Sequence, residues 1–142
     1  MKTKLVKTQI AILLVAGALL ILVRGFILAA PTDFYASNNI ELGANVSLLN
    51  ELKAPAGMLF AAGLFMVGAV FMRRMVDTAT SLAALIYLSY AVTRSMSMAL
   101  DGVPTAGLVQ AAALEGIVGL ACLAVLVIRR IPVRSAARYS TL

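Results

Sequence analysis

AGLVQAAALEGIVGLACLAVLVI, residues 106–128, decides the fold. A bilayer crossing needs about 20 predominantly apolar residues in a helix, and this stretch supplies them with one formal charge, Glu115, before Arg129 and Arg130 close it. Working outward, three more stretches of the same character lie at approximately 8–29, 54–72 and 79–99. The chain has 142 residues, 62% hydrophobic and 13% charged, an apolar content above that of soluble domains. The expectation is all-α: one integral membrane domain over 1–142, folded as a four-helix transmembrane bundle.

Charge placement sets the expected topology. Of the twelve Lys and Arg residues, Lys2, Lys4, Lys7, Arg73, Arg74, Arg129, Arg130, Arg134 and Arg138 flank the spans on one side. The positive-inside rule then puts both termini and the middle loop in the cytoplasm. The basic tail is also suited to touch anionic headgroups. A net charge of +6 normally raises nucleic acid as a partner, but these cations bracket spans instead of forming a solvent-facing stripe, so none is expected. Lys2 and Lys4 before an apolar run imitate a secretion signal. Leu28 is bulky beside Ala29-Ala30, and Arg24 interrupts the run, so the segment is expected to stay as an anchor.

Short links imply neighbours. Asp77 or Thr78 can cap the third span soon after Arg73-Arg74, and Asp101-Gly102-Val103-Pro104 makes a tight turn. Both features point to antiparallel hairpins and an up-down-up-down order. Small residues every four positions offer helix seams: Gly57 and Ala61, then Ala91, Ser95 and Ala99, then Ala112 and Gly116. The same pattern can drive a homo-oligomer or contact with another membrane protein. In residues 31–53, Pro31-Thr32-Asp33 and Ser37-Asn38-Asn39 favour turns, and Ser47 is placed to cap a short interfacial helix. Pro55 either starts the second span or sits in a helix begun earlier.

The chain has no His and no Trp. A His-based metal site, a His-ligated haem and a His general base are therefore excluded. Its single cysteine, Cys122, rules out an internal disulfide and reads as a small packing residue among Leu120, Ala121, Leu123 and Ala124. No cofactor motif is present, and no nucleophile has an evident activating partner.

Three cations remain inside or at the edges of spans: Arg24, Lys53 and Arg94. A rise of 1.5 Å per residue puts Arg24 and Arg94 roughly 9 Å below the outer face and Glu115 roughly 14 Å below it. A central Arg, Lys or Asp costs about 2.5–3.5 kcal/mol on insertion scales, so such groups should face the bundle interior and pair. Arg94 with Glu115 is the leading pair, because adjacent antiparallel spans carry them and a guanidinium can bridge the depth difference. Tyr87 and Tyr90 precede Arg94 by seven and four residues and share its helix face. Asn50, Glu51, Lys53 and Asp101 stand at the mouth. The candidate polar cluster is thus Arg24, Asn50, Glu51, Lys53, Tyr87, Tyr90, Arg94, Asp101 and Glu115.

Asn50-Glu51-Leu52-Lys53-Ala54-Pro55-Ala56-Gly57 opening the second span, Arg94 followed by Asp101-Gly102-Val103-Pro104, and Glu115 in the fourth span together resemble a family of small bacterial four-span proteins, domain of unknown function 4345. The likeness covers nearly the whole chain. Lys53 stands where that resemblance leads us to expect Arg, and an ammonium cannot make a bidentate grip on an anion. The organisation also resembles DoxX-type four-helix membrane proteins. The resemblance implies the bacterial inner membrane and supplies no activity.

The leading expectation is a noncatalytic accessory or structural protein, its charge cluster organising the bundle or docking a partner. The alternative is a small-molecule or lipid site, for a quinone or an anionic headgroup, opening outward. Proton or ion transport through Glu115 ranks lower, because the inner half looks uniformly apolar. A membrane enzyme resembling four-helix glutathione transferases is disfavoured, because the unusual charges lie away from the cytosol.

Overall fold

Alanine and leucine, strong helix formers, fill the apolar stretches, and each stretch forms one continuous helix, the second ending at Ala69, short of residue 72. The computed structural model describes residues 2–130, and Arg134 and Arg138 of the basic tail lie outside the described residues. Four long helices, α1 (Lys2–Ala29), α3 (Val46–Ala69), α4 (Val76–Asp101) and α5 (Ala106–Arg130), are joined by short links, with a six-residue α2 (Pro31–Ala36) after α1. All four long helices have the length and composition to cross a membrane. The protein is an all-α, up-down-up-down four-helix bundle, with no strand among the described residues.

Local chemistry sets the ends. Ala30, at φ −140° and ψ 67°, breaks the helix ahead of Pro31, whose ring tolerates only the first turn of α2. The segment expected to form turns around Pro31 is therefore helical. Asn45, and not Ser47, caps α3: its side chain accepts a hydrogen bond from the Leu48 N–H at 3.1 Å. Pro55 consequently lies inside a helix begun earlier, the second of the two alternatives. Neither Asp77 nor Thr78 caps α4; Met75 holds that position without a side-chain cap, and Asp77 is engaged elsewhere. Gly102 turns the chain between α4 and α5 at φ +102°, a conformation suited to glycine.

Packing divides the bundle into two closely packed pairs, α1 with α3 and α4 with α5. Helix α3 touches α4 only lightly, so the hairpin expected from their short link is loose. The reason is a close approach elsewhere. A Cβ on Gly17 would come to 3.0 Å from the Gly63 carbonyl oxygen, and one on Gly63 to 2.9 Å from the Gly17 carbonyl oxygen. The two backbones can meet only because both positions are glycine. Gly57 has nothing within 4 Å of its Cβ position and Ala61 is exposed, so the seam expected there is absent. On the other pair, Gly119 accommodates the Leu88 side chain, and Ala91 faces Gly116 at ordinary contact distance. The core runs through Leu13, Ala16, Leu20, Met66, Ala83 and the fully buried Cys122.

Candidate functional site

At the end of the bundle that carries α2 and the α4–α5 turn, hereafter the loop end, three helices deliver charge to one place. Arg24 comes from α1, Arg94 from α4 and Glu115 from α5. Arg94 Nε lies 2.9 Å from Glu115 Oε2, with the side chains 29% and 14% exposed. Both atoms are buried and form an ion contact, without a further hydrogen-bond partner. Arg24 Nε is likewise buried without one. The Arg24 guanidinium carbon sits 4.9 Å from the centre of the Tyr90 ring, within cation–π range. Tyr87, buried one helical turn before Tyr90, donates its hydroxyl to the Ala16 carbonyl of α1 at 2.7 Å.

Arg24, Tyr87, Arg94 and Glu115 border a cavity of about 480 Å³ bounded by α1, α4 and α5, within the common range for a small-molecule site, about 300–1,000 Å³. Leu19, Leu20, Val23 and Leu114 supply apolar wall, while Arg24, Arg94 and Glu115 are the formally charged residues in its lining. Helix α2 and the residues after it form a roof of Phe34, Tyr35, Asn38 and Ile40. Phe34 stacks edge-on against Phe26 of α1 with ring centres 5.6 Å apart. On the other side, a Cβ on Gly107 of α5 would meet Asn38 Oδ1 at 2.8 Å. Glycine at 107 is what lets the roof reach α5.

Of the residues singled out from sequence, Arg24, Tyr87, Tyr90, Arg94 and Glu115 gather at this place. Asn50, Glu51 and Lys53 lie exposed on the early turns of α3 and do not line the cavity. Asp101 accepts a hydrogen bond from Ser97 Oγ at 2.9 Å and borders a separate groove of about 390 Å³ that Arg94 also lines. Arg94 therefore stands between the cavity and the turn.

Sequence reasoning missed the aromatic roof. A pair of aromatics, Phe34 and Tyr35, between Pro31 and Asn38 was the available signal. It also missed a second polar cluster at the opposite end. Gln9, fully buried, donates to Asp77 Oδ1 at 2.8 Å and to Thr80 Oγ1 at 3.0 Å. Thr80 in turn donates to the Val76 carbonyl at 2.6 Å. Arg129 donates to both Gln9 Oε1 and Asp77 Oδ1. The knot ties α1, α4 and α5 together, and Gln9 within an apolar run was its signal.

Residues 8–126 match the model of the family described as Domain of unknown function (DUF4345). No curated protein and no solved structure matches the chain.

Proposed function

We propose that this chain, which belongs to the DUF4345 family, is a noncatalytic multi-pass membrane protein that holds one small amphiphile in the loop-end cavity. The observation that carries the reading is the coincidence of an apolar-walled cavity with a buried Arg24 guanidinium nitrogen that lacks an acceptor. Unsatisfied donors at membrane depth are costly. A ligand with an accepting head and an apolar body satisfies both halves of the site. A quinone and a lipid-like acid share that description.

The nine cations on one side support both termini in the cytoplasm of a bacterial inner membrane, with the cavity opening on the opposite side. The apolar layer of Ala83, Ala84, Val118 and Cys122 between the two polar clusters disfavours proton or ion transport. The accessory or structural reading draws on one observation of its own: the Arg94–Glu115 contact and the Tyr87 hydrogen bond link α4 to both α5 and α1. Under that reading, a partner membrane protein or a second copy docks on the bundle.

Photolabelling in bilayer nanodiscs with octanol carrying a diazirine separates the two. Saturable labels on cavity residues such as Val23, Leu108 and Leu114, lost when Ala111→Phe fills the space, would support a ligand site. Labels scattered over lipid-facing Leu22, Leu85 and Val92, unchanged by Ala111→Phe, would leave the structural reading.

A further inference from the structure

The cavity lining has a definite charge count. It holds two guanidiniums, Arg24 and Arg94, against one carboxylate, Glu115. Glu115 lies directly against Arg94, so one positive charge, that of Arg24, has no acid of its own inside the cavity. The acids nearest in chain position to the roof and the turn, Asp33, Glu41 and Asp101, are exposed, where water and salt screen them. Tyr90 lies against Arg24, but an aromatic ring attracts a cation without neutralising it.

The hydroxyl of Tyr87 is already committed as a donor to Ala16. It offers an incoming head only its lone pairs, so the head must find its donors on the guanidiniums that line the cavity, first of all that of Arg24. A guanidinium presents a planar fork of N–H donors that matches a carboxylate. The residues beside these groups, Leu19, Leu20, Val23 and Leu114, are aliphatic. A site of about 480 Å³ accepts a single small ligand of the kind such pockets hold.

Resting on the ligand-binding reading above, we propose that the occupant is a monoanion with one apolar tail, a single-chain carboxylic acid, whose head is recognised by Arg24 while Glu115 sets the charge count by matching Arg94. A monoanion brings the site to neutrality. A neutral head leaves a buried cation, and a dianion leaves a buried negative charge; both carry a desolvation cost that the monoanion avoids. Glu115 is on this account a selectivity residue: removing its charge shifts the preference toward a head with two negative charges.

Competition in zwitterionic nanodiscs against labelling by the neutral diazirine octanol tests this with the full chain. Octanoate should compete at least about tenfold better than octanamide, a difference of about 1.4 kcal/mol, and octylammonium should compete worst. Acetate, an anion without a tail, should fail. Arg24→Gln should bring octanoate down to the octanamide level while octanamide is unmoved, and Arg24→Lys should restore part of the preference. Glu115→Gln should improve octyl phosphate relative to octanoate. Equal competition by octanoate and octanamide in the wild-type protein would overturn the proposal without any variant, and would leave a neutral-ligand site standing. Acetate competing as well as octanoate would overturn the tail. Labelling that never saturates, in protein whose helicity is intact, would overturn both this proposal and the ligand-binding reading beneath it.

Discussion

Glu115 on α5 lies 2.9 Å from Arg94 on α4, so two helices that already pack closely also exchange opposite charges inside the bundle. Each charge makes the other tolerable there. Replacing one alone leaves a partly buried ion without its partner, and the loss can reach about 3 kcal/mol. Arg94→Leu and Glu115→Leu should each lower the thermal unfolding midpoint in detergent. The double variant should recover most of that loss, because no orphaned charge remains.

The close approach of α1 and α3 depends on two glycines. Gly63→Val should destabilise by about 1–3 kcal/mol, the usual range for overpacking, since the added Cβ meets backbone at 2.9 Å. Gly57→Ala, with nothing within 4 Å, should be neutral or slightly stabilising, as expected where alanine replaces a helical glycine. Parallel thermal unfolding of the two variants checks this contrast.

Gln9→Leu should cost about 1–3 kcal/mol, because it removes the amide that satisfies Asp77, Thr80 and Arg129 together. The knot lies at the far end of the bundle from the cavity. Octanoate competition should therefore be unchanged in the folded variant, while its unfolding midpoint falls.

Gly107→Ala should push Asn38 away, since the added Cβ would lie 2.8 Å from Asn38 Oδ1. The roof would lift while α1, α4 and α5 keep their packing. Ligand release measured by dilution should accelerate several-fold, with helical content by circular dichroism unchanged.

Legibility in the sequence followed the cost of each feature. Arg24, Arg94 and Glu115 stood out because a charge within an apolar run is expensive wherever the helix lies. Their convergence followed from span order and depth alone. Gln9 and Thr80 are neutral and cost little on view, so their roles appear only when α4 and α5 are brought against α1. Asp77 read as a cap and Arg129 as a topology signal, because each has a local explanation. Gly17 and Gly63 escaped a search for small residues every four positions: one glycine on each helix, meeting the backbone of the other, is sufficient for close approach. Phe34 and Tyr35 lay in a segment rich in turn formers, and a six-residue helix is too short for periodicity to reveal.

Native mass spectrometry of the protein released gently from its membrane tests the ligand-binding account most directly. The wild-type protein should carry one small molecule of defined mass, and an Ala111→Phe variant of unchanged helicity, its cavity filled, should carry none. A wild-type protein that is folded yet free of any adduct, with an Arg94→Ala, Glu115→Ala double variant that loses helix packing or a protein partner, would contradict that account and leave the charge cluster as a structural element.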